Sequence, residues 1–238
     1  MGKYTYLLID LLCLIIPLLF SFHPKIKLYK KWKYLIPSII IVYIIMFAWD
    51  YLFTLSGIWS FNKNYICGVY FFSVPLEEHL FLCYMPFLFV FIYECMNIFF
   101  QKDFIGKNSL YISFSLIIIL PFSISFFNEK TYTSVVSLCV EFLLVSILLF
   151  TKSHYTFLGK FYQTFAVFLV PLFIVSALLV NIPIVLYNNE YNLSIFVFNI
   201  PVENILYNLF LMLSVTFIYE LLQKKYSAAI ILPSENEL

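Results

Sequence analysis

Apolar stretches of about twenty residues recur along the chain, and short polar segments separate them. They fall at 4–22, 34–54, 76–99, 108–127, 132–151, 162–182 and 203–222. A helix needs about 20 apolar residues to cross ~30 Å of hydrocarbon, so the pattern predicts seven transmembrane helices. The first stretch is not expected to be a cleaved leader, because its run is long and no small-residue cleavage site follows it. Pro24 and a lysine cluster follow instead. Two polar-poor loops, 55–75 and 183–202, are too long to be simple turns.

The pattern repeats. A shift of 126 residues lays the chain on itself without a gap. Ser73-Val-Pro-Leu-Glu-Glu-His-Leu-Phe81 falls on Asn199-Ile-Pro-Val-Glu-Asn-Ile-Leu-Tyr207, and Phe91-Ile-Tyr-Glu94 on an identical Phe217-Ile-Tyr-Glu220. Asn62 meets Asn188 and Phe47 meets Phe173. The fourth span has no counterpart. The reading is an all-α polytopic membrane protein built 3 + 1 + 3. The first repeat occupies 1–105, a linker helix 106–130, the second repeat 131–226 and a tail 227–238. Four crossings separate equivalent positions, so both repeats enter the membrane from the same side, with a pseudo-twofold axis along its normal. A site between the halves would draw on both.

Composition narrows the function classes. With 63% hydrophobic and 11% charged residues, the chain stands far from the ~25% charged average of soluble domains. A soluble enzyme, a nucleic-acid binder and a disordered segment are excluded. All 14 basic residues are lysines. Lys25, Lys27, Lys30, Lys31, Lys33, Lys102, Lys107, Lys152, Lys160, Lys224 and Lys225 fall on one side, Lys3, Lys63 and Lys130 on the other. The positive-inside rule then puts the N-terminus outside and the C-terminus in the cytoplasm. Cys13, Cys67, Cys83, Cys95 and Cys139 form no CxxC pair, and five glycines make no GxGxxG. No thiol metal site, flavin motif or nicotinamide motif is therefore expected.

Acids at membrane depth are costly and functional by default. Here they are Asp10, Asp50, Glu77, Glu78, Glu94, Glu141, Glu203 and Glu220. For Glu94 and Glu220, near the cytoplasmic helix ends, interfacial anchoring or a structural role conserved by the repeat weighs as much as function. Asp10 and Glu141 lack repeat counterparts and read first as helix–helix hydrogen-bond partners. Glu77, Glu78 and Glu203 each follow a proline at a helix start, where acids complement the helix dipole. The other reading is a buried acid: adjacent carboxyls in low dielectric cannot both ionise cheaply, and a protonated one facing an apolar cavity is a general acid. Recurrence of Glu at the same offset favours function. Glu203 with Tyr207, and Asn204 with Asn208, share helix faces. The long loops carry Trp59, Phe61, Tyr65, Tyr70, Phe71, Phe72, Tyr187, Tyr191, Phe196 and Phe198. These suit an interfacial belt or a cavity wall whose π-faces stabilise a cation.

Trp49-Asp50-Tyr-Leu-Phe-Thr54, Gly57-Ile-Trp59-Ser-Phe-Asn62 and Pro75-Leu-Glu-Glu78 resemble the first repeat of the membrane-integral lycopene cyclases. Ile182-Pro-Ile-Val-Leu-Tyr187, Pro201-Val-Glu203 and Tyr219-Glu220 resemble the second. The likeness covers about 4–222, in the arrangement of a fused two-repeat member. Where the family usually carries a second acid after the second-repeat Glu, this chain has Asn204. The resemblance implies a redox-neutral isomerisation. Protonation of the terminal double bond of a lycopene ψ-end, ring closure and loss of a proton lead to β-rings, through γ-carotene to β-carotene. The catalytic residues it implies are Glu77 or Glu78 as acid, Glu203 as cation stabiliser or proton acceptor, and Asp50 to orient or reprotonate the pair. Trp49, Trp59, Phe61, Tyr187, Asn204 and Tyr207 are expected to contact the substrate. No metal and no cofactor is required by this chemistry. The expected partners are a carotenoid in the bilayer, membrane lipids, a second copy of the chain or other carotenoid enzymes, and no nucleic acid.

Three rivals remain. A carotenoid-cleaving oxygenase wants several histidines at iron, and His23, His79 and His154 are placed at opposite ends. A small 3 + 1 + 3 transporter or lipid-binding protein would leave its substrate unchanged. A prenyl-diphosphate enzyme would need an Asp-rich metal motif, which the chain lacks.

Overall fold

The computed structural model describes residues 2–100, 102–127, 129–150 and 154–231, with 154–156 and 227–231 as backbone only. Lys152 of the basic side and the end of the tail, 232–238, lie outside the described residues. Among the described residues seven α-helices form: α1 (Thr5–Phe20), α2 (Trp32–Leu55), α3 (Leu76–Phe99), α4 (Asn108–Phe126), α5 (Thr131–Phe150), α6 (His154–Asn181) and α7 (Glu203–Ile231). Six are long and apolar enough to cross a membrane, and α1, at 16 residues, is shorter. Helices α6 and α7 run past the expected apolar spans into lysine-bearing segments. The polar residues there end the hydrocarbon crossing, but they are compatible with helix.

The two long loops hold short strands: β1 (Trp59–Phe61), β2 (Tyr70–Phe71) and β3 (Val74–Pro75) in the first, β4 (Val185–Tyr187), β5 (Phe196–Val197) and β6 (Ile200–Pro201) in the second. β2–β3 and β5–β6 are tight antiparallel hairpins. Their two-residue tips, Phe72-Ser73 and Phe198-Asn199, all have positive φ, as type I′ hairpin turns require. Residues 126 apart thus adopt the same uncommon backbone without glycine.

Helices α1–α3 and α5–α7 are two copies of one three-helix unit, and they interlock. α2 packs on α7 and, equivalently, α6 packs on α3. Strands β1 and β4 pair antiparallel across the pseudo-twofold axis, Trp59 opposite Tyr187 and Phe61 opposite Val185. Reciprocal bonds flank this ladder: Asn62 N–H donates to the Ile184 carbonyl and Asn188 N–H to the Ile58 carbonyl, each at 2.9 Å. In lipid, apolar surface alone gives helices no reason to associate, so packing and polar contacts carry the assembly.

The opposite end is clasped in the same reciprocal way. Tyr219 donates to Glu94 at 2.6 Å, and Tyr93 to Glu220 at 3.0 Å. Lys31 also reaches Glu94, at 2.6 Å. Of the structural readings of Glu94, the one conserved by the repeat is what forms, in place of headgroup anchoring: it is 3% exposed and joins α3 to α7. Asp10, buried on α1, faces the Tyr84 hydroxyl of α3, as a helix–helix partner would, whereas among the described residues no side-chain hydrogen bond joins Glu141 to another helix.

Candidate active site

Pro75 and Pro201 end β3 and β6 and deliver the chain into the first turns of α3 and α7. This places Glu77, Glu78, Glu203 and Asn204 where the two re-entrant loops meet. The four acids singled out from the sequence then part company.

Glu77 and Glu203 fasten loops. Glu77 Oε1 accepts the Cys67 backbone N–H at 2.6 Å. Glu203 Oε1 accepts the equivalent Leu193 N–H at 2.7 Å, and the Thr133 hydroxyl at 2.6 Å. Both side chains are almost wholly buried, 0% and 1% exposed, and each keeps one oxygen without a partner. A buried backbone N–H has to find an acceptor, which accounts for glutamate at the same offset twice.

Glu78 faces inward. A cavity between the repeats is lined by Tyr6, Trp59, Phe61, Glu78 and Phe81 of the first, and by Tyr132, Ser176, Tyr187, Asn204 and Tyr207 of the second, with Leu179, Val180 and Val185. Glu78 is the one carboxyl in that wall. Its Oε2 accepts the Tyr6 hydroxyl at 2.8 Å. The pseudo-symmetric lining sets Tyr6 against Tyr132, Phe61 against Tyr187, Phe81 against Tyr207, and Glu78 against Asn204. Asn204 instead donates to the Ser176 hydroxyl at 3.0 Å and accepts from Asn208 at 3.1 Å. Asp50 stands behind the wall, fully buried, and accepts the Tyr207 hydroxyl at 2.9 Å, with its other oxygen free of partners. Trp49 is also behind the wall, edge-on to Tyr207 at 5.8 Å. Its expected contact with substrate is therefore made only through Tyr207.

The aromatics form a cage. Trp59 meets Tyr132, Tyr187 and Tyr207 edge-to-face at 5.6, 6.3 and 6.0 Å, and Tyr132 stacks on Tyr187 at 6.2 Å. The Trp59 indole is held by the Thr54 hydroxyl at 3.1 Å. Burial first, then the nearby carboxyls of Glu78, Asp50 and Glu203, hold Tyr187 above the usual phenol range, so its ring stays neutral. By contrast Tyr70, Phe71, Phe72, Phe196 and Phe198 are exposed at the hairpins, where a belt would place them. The cavity is about 30 Å³, room for one or two waters. A hydrocarbon ring enters only if the lining aromatics part.

Three polar wall residues were not singled out from sequence, Tyr6, Tyr132 and Ser176, nor were the apolar Phe81, Leu179, Val180 and Val185. The 126-residue shift carried the signal, since it lays Tyr6 on Tyr132 and Asp50 on Ser176. Among the described residues, no three His, Cys, Asp or Glu stand together as a metal site. His79 hydrogen-bonds Tyr43 at 2.8 Å.

Fold and cavity together define a polytopic membrane protein of two interlocked repeats that enclose an aromatic chamber with a single carboxyl in its wall. A family model described as lycopene cyclase matches residues 3–96 and again 129–222, the two copies offset by the same 126 residues. The chain belongs to the lycopene cyclase family and carries both copies in one polypeptide. Comparison with curated proteins and with solved structures returns no match.

Proposed function

We propose that the chain is a lycopene β-cyclase in which Glu78 is the acid. The observation that supports this is the position of Glu78: a buried carboxyl, oriented by Tyr6, in an otherwise aromatic chamber between the repeats. A ψ-end of lycopene enters from the bilayer. Glu78 gives its proton to the terminal double bond, and the tertiary cation forms against the faces of Trp59, Tyr132, Tyr187 and Tyr207. Cation–π contacts are worth about 2 kcal/mol each when desolvated. The neighbouring double bond attacks, one C–C bond closes the six-membered ring, and the cation moves to the ring. Loss of a ring proton to the Glu78 carboxylate leaves a β-ring and restores the acid. Atoms and electrons balance without an oxidant or reductant, so no cofactor is consumed. Exclusion of water keeps the cation from being captured as an alcohol.

Asp50 acts through Tyr207, setting a carboxyl behind the ring that faces the cation. Glu77 and Glu203 hold the loops that carry the cage. The lysine distribution supports an N-out, C-in orientation in the cell membrane. The chamber, at the end away from the Lys31–Glu94 clasp, then lies toward the outer face.

Expression in a lycopene-accumulating host tests the reading. The expected product is β-carotene, isomeric with lycopene but shifted in retention and absorbance. Lycopene left unchanged, or a cleaved aldehyde of lower mass, would sink it.

A further inference from the structure

One helix seam is sealed in the first repeat and loose in the second. Helix α2 lies along α3, but the equivalent α6 and α7 scarcely touch. Side chains account for the difference. On α2 the rings of Tyr43, Phe47 and Tyr51 follow one another at 6.0 and 6.3 Å. Phe47 packs on His79 of α3 at 5.1 Å, and the Tyr43 hydroxyl meets His79 Nδ1 at 2.8 Å. The 126-residue shift turns Tyr43, Tyr51 and His79 into Leu169, Ala177 and Ile205, and of the aromatic row it leaves Phe173. His79 is buried, whereas Ile205 is half-buried.

The chamber leans toward the loose seam. Its wall takes Ser176, Leu179 and Val180 from α6 and no residue from α2. On the α2 side Phe53, the counterpart of Leu179, packs on Trp59 at 5.1 Å and on Tyr132 at 5.8 Å. The Asn204–Ser176 hydrogen bond, 3.0 Å long, crosses the α6–α7 seam at the level of the chamber. Toward the lysine-rich end Phe157 and Phe217 close the seam at 6.0 Å. At the other end the β5–β6 hairpin roofs it, where Asn199 donates to Asn181 Oδ1 at 2.8 Å. Between these closures Leu169, Phe173, Ala177 and Ile205, all half-buried, border a lateral window between lipid and chamber.

We propose that this seam is the passage by which a linear polyene reaches the chamber, and the groove that holds its unreacted length while one end cyclises. The inference rests on the cyclase reading, which supplies an occupant far longer than the chamber. Only one end of such a chain can sit at Glu78 in a cavity of about 30 Å³, so the rest has to cross the wall. The α6 side is where the wall is small and aliphatic and where a seam continues it outward. Ser176 and Asn204 stand where the first repeat has Asp50 and Glu78. A hydrocarbon that parts two neutral side chains strips no charge of its partners, whereas parting two buried acids would. The departure at Asn204 thus serves entry, and Ser176 with Asn204 is the latch that the polyene opens.

Importing the seal of the first repeat tests this. Leu169→Tyr, Ala177→Tyr and Ile205→His are combined, once in the wild-type chain and once with Glu78→Gln, which removes the proton and keeps the chamber. Both are expressed in a lycopene-accumulating host. Lycopene is expected to co-purify with the Glu78→Gln protein, and the seal should lower it about tenfold, as added bulk opposes an occupant. Conversion by the sealed chain with Glu78 intact should fall as far, at unchanged melting temperature. If the triple variant fails to accumulate, Ala177→Tyr alone should give a several-fold loss of both. Tyr43→Leu with His79→Ile, the mirror change, should leave bound lycopene within twofold. Sealed protein that binds and converts lycopene like its parent overturns the passage and leaves the cyclase standing, as does wild-type conversion with phospholipid alone held by the Glu78→Gln chain. A wild type that converts no lycopene, with none bound to Glu78→Gln, overturns the cyclase reading and the passage with it.

Discussion

The two repeats share a scaffold but not a chemistry. Their equivalent positions agree where they build: Glu77 and Glu203 on loop N–H groups, Tyr93–Glu220 and Tyr219–Glu94 across the axis, Phe72-Ser73 and Phe198-Asn199 at the hairpin tips. They disagree where acid could react. Glu78 faces Asn204 across the chamber, and Asp50 has Ser176 as its counterpart. An acid present in both copies answers a need both copies have, such as a backbone N–H to satisfy. An acid present in one copy answers a need the assembly has once. In the proposed reaction, one chamber with one proton to deliver is such a need.

The largest effect should fall on that asymmetry. Glu78→Gln keeps the shape and the Tyr6 contact but removes the proton. General acid catalysis contributes about 10²–10⁴-fold, so cyclisation in a lycopene-accumulating host should fall at least 100-fold with the protein still present in the membrane. Asn204→Ala, the matching change across the axis, should cost less than tenfold. Equal losses at the two positions would erase the distinction.

Truncating the duplicated acids should act on stability and act alike. Glu77→Ala and Glu203→Ala each leave a loop N–H without its carboxylate, and a hydrogen bond to a charged group contributes about 1.5–3 kcal/mol. Both variants should melt earlier in detergent and accumulate less, while activity per folded molecule stays within a few-fold. A variant that is stable but inactive would return Glu77 or Glu203 to the reaction.

Asp50→Ser makes the first repeat resemble the second at this site. Ser176 shows that the unit tolerates serine there. Tyr207 loses its acceptor and the cage loses the carboxyl behind it. The expected rate loss is about tenfold, from roughly 1.4 kcal/mol of lost cation stabilisation, with little change in melting. An unchanged rate would leave Asp50 with a packing role only.

Much of the architecture was readable before the structure, because membrane thickness fixes helix length and the 126-residue shift fixes the pairing of spans. The span at 76–99 needed no correction. The chemistry of the acids was less readable. Repetition of Pro-x-Glu points to function for Glu77 and Glu203, and no sequence pattern shows that the N–H of Cys67 or Leu193, ten residues upstream, also takes them as acceptors. Adjacent residues on a helix point about 100° apart, so Glu77 and Glu78 serve different neighbours although they share a motif. The departure at Asn204 was visible and was the better pointer. Tyr6 escaped notice because it lies in the first apolar span, where a tyrosine looks like any interfacial aromatic.

The smallest effect concerns the clasp at the lysine-rich end. Its two Tyr–Glu bonds are related by the axis, yet among the described residues only Glu94 forms an ion pair with a lysine: the counterpart of Lys31 is Phe157. Lys31→Phe would make the two halves of the clasp alike. The Glu94 side chain is 4% exposed and that of Lys31 39%, so the lysine is screened by solvent while the carboxylate is not. Half-exposed pairs contribute at most about 1 kcal/mol, and Tyr219 still donates to Glu94 in the variant. The expected loss is therefore small, roughly 0.5–1 kcal/mol at low salt, and it should shrink as salt screens the wild-type pair. A loss well above that, indifferent to salt, would mean that the clasp is held by the lysine and that the reciprocal tyrosines are secondary. The symmetry of this end would then be a feature of the sequence and not of its energetics.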